Sequence, residues 1–334
     1  MTEKINLKEW VNQILNSEKT VAIPIMTHPG IDLIGKKVID AVTDGIDHFQ
    51  AIQAINNQFP SAASTLIMDL TVEAEAFGCE INFPDNEVPS VANRLVSDRE
   101  SVEKLNVPDI NSGRIQQYLT AARLSAENSI NKPVFAGCIG PFSLSGRLFD
   151  MTEIMTEMCI EPDVIEILLQ KCTAFLIEYI NEFKKAGANG VIMAEPAAGL
   201  LSEDLCDLFS SNYVKQIVEA VQDDTFMLIL HNCGNKGHLT QSMVSTGAKG
   251  LHFGNSINMA QALEEIPSDI LVLGNLDPVG VFKFASPEEV EKQTTTLLEQ
   301  TRGKKNFIIS SGCDTPPGVP FENIKAFYKA VEMQ

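Results

Sequence analysis

Short apolar runs alternate with longer amphipathic stretches along almost the whole chain. The runs are VAIPIM (21–26), TLIMDL (65–70), PVFAGCIG (133–140), NGVIMAEP (189–196), residues 225–231, AKGLHFG (248–254), DILVLGNLDP (269–278) and NFIISSGC (306–313). Brief apolar segments bounded by Gly, Pro, Asn or Asp read as buried strands. Val38, Ile39, Val42 and Ile46 recur on one face and predict a helix over 36–58. Similar spacing predicts helices over 113–130, 144–158, 163–186, 203–221, 236–246, 258–265, 287–301 and 320–332. Asn6 followed by Glu9 is a capping pair, and Leu7, Val11, Ile14 and Leu15 follow it, so a helical extension is expected at about 4–17. Residues 79–111, rich in Pro, Asn and Asp, read as a long loop insertion.

Eight strands alternating with helices predict the α/β class with a parallel sheet, and eight units predict closure into one (β/α)₈ TIM barrel over residues 1–334. The alternative, an open doubly wound sheet, lacks its G-x-G-x-x-G after the first strand. Polar residues fit the barrel: Thr27 and His28, Asp69, Cys138, Glu195, His231 and Cys233, His252, Asn275 and Asp277, and Cys313 all fall where a predicted strand ends. That rim of a barrel is where catalytic groups gather.

Composition narrows the partners. With 334 residues, 44% of them hydrophobic, the chain can bury a large core. A net charge of −19 argues against nucleic acid or an anionic membrane as partner. No apolar run approaches a membrane span, and MTEKINLKEWVNQ lacks the profile of a signal peptide, so a cytoplasmic protein is expected. The seven cysteines then read as reduced thiols. Cys79, Cys138, Cys159, Cys172 and Cys206 are expected to pack as small hydrophobes.

The other two carry candidate chemistry. His231 and Cys233 stand two apart at the end of a strand, where alternate residues share a side. Imidazole and thiolate are preferred zinc ligands, and Cys313 in SSGCDTPPG is the candidate third. Cys233 and Cys313 are too far apart in sequence for a zinc finger, so the fold would have to assemble the site. Three ligands with an open position are the mark of catalytic zinc, and a soft S₂N set disfavours Mg²⁺. Two unrelated cysteines beside a hydrogen-bonded histidine remain the alternative at this point. Such a zinc would suit a substrate thiol, held as the thiolate. Asp69, Glu195 and Asp277 are candidates to position substrate or accept protons, and Glu195 is a candidate resting ligand. His28 lines the pocket or caps a turn; His252 points into the mouth or into packing. Asn275 and Asp277 line the pocket or satisfy their own turn.

GNLDP (274–278) and LIMDL (66–70) with Asp69 resemble the uroporphyrinogen decarboxylase superfamily, over nearly the whole chain from about residue 20. HNCG (231–234) together with SSGCDTPPGVPFENIKAF (310–327) resembles its methylcobamide:coenzyme M methyltransferase branch. The resemblance implies a TIM barrel with Zn²⁺ on His231, Cys233 and Cys313. It implies a thiol substrate such as coenzyme M, and a methylcobamide corrinoid as methyl donor. It also tips Asn275 and Asp277 towards substrate binding. No D-x-H-x-x-G appears, so the corrinoid is expected on a separate corrinoid protein or as free methylcobalamin. Transfer from a methylated donor onto a corrinoid, and a family member that binds corrinoid or metal without catalysis, are alternatives. Porphyrinogen decarboxylation is a third: Asp69 matches the decarboxylases' catalytic carboxylate, but MTHPGIDLIGKK (26–37) lacks their arginines.

Overall fold

In a computed structural model, which describes residues 5–129 and 131–334, most of the expected runs pair as parallel strands. The strands are β1 (Ser64–Thr65), β2 (Ile81–Asn82), β3 (Ser90–Val91), β4 (Val134–Ile139), β5 (Gly190–Ala194), β6 (Met227–Asn232), β7 (Gly250–Phe253), β8 (Leu271–Leu276) and β9 (Phe307–Ser311). Seven of them form one parallel sheet in the order β1-β4-β5-β6-β7-β8-β9. Strands β4 to β9 are buried at every position, which is why they read as continuous apolar runs rather than alternating ones.

The first run, VAIPIM (21–26), forms no regular ladder, yet it closes the barrel. Ala22 bridges Ile309, with Ile23 N donating to Ile309 O and Ile309 N to Val21 O, each at 3.0 Å. On the other side Ala62 N donates to Ala22 O at 2.9 Å. Pro24 has no N–H to extend the ladder, so pairing stays local. TLIMDL likewise pairs only at its start, Thr65 and the preceding Ser64 forming the ladder and Leu66 N donating to Phe135 O at 3.0 Å.

Ile23, Ile25, Phe135, Ile192, Met227, Ile229, Leu271, Leu273 and Ile308 fill the barrel interior. The opening helix Leu7–Asn16 adds Leu7, Trp10 and Ile14 to the same cluster, with Trp10 packed on Phe135 near the start of its strand. It therefore closes the floor and leaves the C-terminal mouth as the open end. Lys4, where the expected helix began, and Ile130, where the 113–130 helix was to end, lie outside the described residues.

Several helices differ from expectation for identifiable reasons. THPG, which follows the first predicted run, opens the helix Thr27–Leu33, since Pro29 falls in the first turn, where its missing N–H costs nothing. Gly30 lets that helix press on its neighbour: a Cβ there would sit 2.3 Å from Ala51 O. The 36–58 helix breaks at Asp44, whose carboxylate caps Ile46 N and Asp47 N of Gly45–Gln58. Asp150, at φ 87°, divides Pro141–Phe149 from Met151–Ile160. The 79–111 insertion is partly ordered, with the antiparallel pair β2–β3 and the helix Arg99–Lys104. Of the five cysteines expected to pack, four are buried, but Cys159 is exposed. No helix among the described residues is long and apolar enough to cross a membrane.

Glu73 lies inside this frame, 1% exposed, in the helix Val72–Phe77. Its Oε1 accepts Ile139 N at 3.0 Å and its Oε2 has no partner among the described residues. Burial pushes its carboxyl from 4.5 up to about 7. The folded chain thus holds a proton that the unfolded chain releases, so this contribution to stability is complete below about 4.5 and is lost as pH rises towards 7. Glu73→Gln should match the wild type in urea unfolding at pH 4.5 and exceed it at pH 8 by on the order of 3 kcal/mol. Parallel stability profiles for the two proteins would sink the assignment.

Candidate metal centre

Strand β6 runs one residue further than a simple apolar count allows. His231 is still paired in the ladder, opposite His252 of β7, and Asn232 opposite Phe253. Asn232 then turns the chain, its Oδ1 accepting Gly234 N and Asn235 N, both at 3.0 Å. This Asx turn presents Cys233 at the mouth. The fit is close on both sides: a Cβ on Gly254 would lie 2.7 Å from Cys233 O, and one on Gly312 would lie 2.7 Å from Asn255 N. Glycine at those positions allows the loops after β7 and β9 to pinch together around the two cysteines.

Cys313 follows β9, and its loop is tied to the helix that starts at Thr27. Asp314 accepts Thr27 N at 3.1 Å and the Thr27 hydroxyl, while His28 Nδ1 lies 2.9 Å from Thr315 O and 3.5 Å from Asp314 Oδ2. Burial pulls the His28 pKa down, but Asp314 and the Thr315 carbonyl outweigh it and leave it raised. The structure therefore places His28 beneath the Cys313 loop, as a tie for that loop.

One ring nitrogen of His231 and the sulfurs of Cys233 and Cys313 all lie within 4.8 Å of one another. His231 is buried, whereas both cysteines are partly exposed, so the cluster opens towards the mouth. His231 Nδ1 faces His252, and His231 Nε2 is buried with no hydrogen-bond partner among the described residues. An orphaned buried nitrogen is costly in a folded interior. Beside two thiols, it has the donor set a tetrahedral soft cation accepts. Contact with Cys313 and His231 draws the Cys233 thiol well below its ordinary range, and the resulting thiolate pushes Cys313 up. A cation would remove that mutual repulsion.

The other expected site residues are engaged elsewhere. Asp69, 6% exposed, accepts Thr71 N and the Thr71 hydroxyl on Oδ1 and Arg114 Nη1 at 2.6 Å on Oδ2. Arg114 also donates to Glu75 Oε2, Val42 O and Thr71 Oγ1, and lies over the Phe83 ring. Glu195 is 1% exposed; its carboxylate accepts Phe142 N at 2.7 Å, Ser143 N and the Ser210 hydroxyl, at the N-terminus of Pro141–Phe149. Burial pushes Glu195 up to about 7 against those donors. Asn275 donates to Gly254 O and Ile257 O, which fixes the loop behind Cys233. Asp277 accepts Val279 N and Gly280 N within its own turn. Sequence reasoning missed Arg114, which sits at the start of a predicted helix, far in the chain from its partners.

A cavity of about 470 Å³ opens at the rim, lined by Leu70, Ile139, Pro196, Ala197, Arg94 and Arg147 among others. It adjoins the Cys233 turn through Pro196, whose carbonyl would be 2.7 Å from a Cβ at Gly234.

The uroporphyrinogen decarboxylase (URO-D) family model matches residues 26–334. A methylcobamide:CoM methyltransferase, MtbA, of Methanosarcina acetivorans is 29% identical over 270 residues, covering 77% of this chain and 75% of that protein. A uroporphyrinogen decarboxylase of Vibrio campbellii is 27% identical over 285 residues, covering 82% and 79%. In three dimensions, a methyltransferase from Methanosarcina mazei superposes with a TM-score of 0.89 at 24% identity, covering 99% of each chain, a likeness of fold.

Proposed function

The chain belongs to the uroporphyrinogen decarboxylase family, and from that premise we propose that it is a corrinoid-dependent methyltransferase whose zinc centre is His231, Cys233 and Cys313. The observation that carries this reading is the convergence of those three donors at the barrel mouth, with His231 Nε2 buried and unpartnered. The methylcobamide:CoM methyltransferase relatives give the reaction class.

His231, Cys233 and Cys313 would hold the ion and leave one position open to substrate. Bound there, zinc supplies the charge that keeps a substrate thiol as thiolate near neutral pH. The chain's own residues set the geometry. The Asn232 turn and the Asp314–Thr27 tie hold the loops that carry the two cysteines at the mouth. The cavity lined by Pro196, which abuts the turn at Gly234, offers room for a second substrate. The reaction is displacement of a methyl group from cobalt by sulfur. The S–C bond forms, the Co–C bond breaks, and its electron pair stays on the cobalt of the methylcobamide substrate, carried by a corrinoid protein or free.

Porphyrinogen decarboxylation is the second reading, favoured by decarboxylase relatives of similar identity. It needs Asp69 facing substrate, whereas both its carboxylate oxygens are committed to Thr71 and Arg114. Zinc-loaded protein incubated with methylcobalamin and a panel of thiols, coenzyme M included, is expected to bleach the methylcobalamin spectrum in a thiol-dependent way. Chelator-stripped protein should lose that activity and recover it on zinc addition. Zinc-independent loss of carboxylates from a porphyrinogen, with no thiol methylation, would favour the second reading. The reverse assay, cob(I)alamin with methyl donors, gives the direction of transfer.

A further inference from the structure

The hydrogen atoms around His231 can be assigned from acceptors alone. Ser310 Oγ lies 2.8 Å from the carbonyl oxygen of Ile23, which has no hydrogen to give, so the serine hydroxyl donates there. His252 Nε2 lies 2.9 Å from the same Oγ. With its hydrogen already committed, that oxygen can only accept, so His252 carries its hydrogen on Nε2 and a lone pair on Nδ1. His252 Nδ1 in turn lies 2.7 Å from His231 Nδ1, and the contact is a hydrogen bond only if His231 supplies the hydrogen. The His252 carbonyl, 3.3 Å from the same nitrogen, is a second acceptor for it. A neutral His231 with Nδ1–H has its lone pair on Nε2, the atom left buried and unpartnered.

We propose that His252 and Ser310 are positioning residues that fix His231 in the tautomer offering Nε2 to a soft divalent cation. The device extends through the barrel interior from the Ile23 carbonyl to the ligand. Metal-binding histidines generally have their second nitrogen held in this manner, and loss of such a partner costs about 10- to 100-fold in metal affinity. Here the partner is a second histidine, which can accept from His231 or donate to it according to which nitrogen carries its hydrogen. Ser310 makes the choice. Without its hydroxyl, His252 is free to move the hydrogen to Nδ1. His231 would then have to accept at Nδ1 and carry its own hydrogen on Nε2, against the metal.

The inference rests on the metal reading of His231, Cys233 and Cys313, and its test separates the two. In metal-free wild-type protein labelled with ¹⁵N-histidine, above pH 7, the ring shifts should show His231 protonated on Nδ1 and His252 on Nε2. Ser310→Ala should mix the tautomers of both rings and raise the zinc dissociation constant, read by chelator competition, about 10- to 100-fold. Ser310→Thr, which keeps the hydroxyl, should restore the wild-type tautomers. A wild type that takes no zinc overturns the metal reading and this inference with it. A wild type that binds zinc but carries the His231 hydrogen on Nε2 overturns this inference alone. So does a Ser310→Ala protein with unchanged tautomers and unchanged zinc affinity.

Discussion

Cys313→Ser is expected to lower zinc affinity by about 10²- to 10³-fold and to remove thiol-dependent demethylation of methylcobalamin at ordinary zinc concentrations. Zinc held by four protein ligands in small peptides is bound with about 10–16 kcal/mol, so loss of one soft ligand removes on the order of 3–4 kcal/mol. The loss falls on affinity rather than on folding, because Cys313 is partly exposed and its loop is held by Asp314, Thr27 and His28. Metal content after dialysis and a thermal melt of the metal-free protein read the two effects apart. Cys159→Ser, at an exposed thiol outside the cluster, serves as the matched control and should change neither. Full zinc and full activity in the Cys313 variant would remove it from the ligand set.

Asp69→Asn is expected to cost about 3 kcal/mol of folding stability, the lower end of the penalty for breaking a buried ion pair, because Glu75 stays beside Arg114. The Asp69 side chain is 1% exposed and that of Arg114 8%, so solvent relieves little of the cost. Asn keeps an oxygen for Thr71 but brings a donor amide against a guanidinium that already donates on every side. Removing both charges, in Asp69→Asn with Arg114→Met, should recover part of the loss: the single variant leaves Arg114 with Glu75 alone as counter-charge, while the double variant leaves the more exposed Glu75 without its cation. Urea unfolding of the three variants measures this. A catalytic Asp69 gives the opposite pattern, with near-normal stability and loss of turnover per folded molecule.

These two residues also mark how much could be read from the chain. Cys313 and the His231–Cys233 pair were legible because they end apolar runs, and a polar group at the end of a fully buried strand has few places to go. The barrel was legible for a related reason: strands β4 to β9 are buried on both faces, so each reads as an unbroken apolar word. Asp69 ends such a run too, yet the structure commits its charge to Arg114, 45 residues on. Nothing local announces that pair, because the Gly113–Arg114 turn reads as an ordinary helix start. His252 and Ser310 were obscured by ambiguity of another kind. A histidine on a buried strand looks the same in sequence whether it packs or relays a hydrogen bond, and its role depends on which strands face it across the barrel. The short pairing of 21–25 and of Ser64–Thr65 was equally hidden, since apolar content predicts burial but not the length of a ladder.

The weakly paired run at 21–25 has a consequence for when the site comes into being. Its carbonyl at Ile23 anchors Ser310, and its neighbour Thr27 anchors the loop of Cys313, contacts that span 287 residues of chain. During synthesis, His231, Cys233 and His252 emerge while Ser310 and Cys313 are still to be made. Contacts of such long range carry the largest loop-closure cost, so they form late in folding as well as late in translation. On the proposed reading, a metal centre would therefore be completed only when the runs at 21–25 and 307–311 meet. A half-finished barrel would expose a lone His-x-Cys pair, two donors short of a zinc site, and the ion would be admitted by closure of the first strand run onto the last.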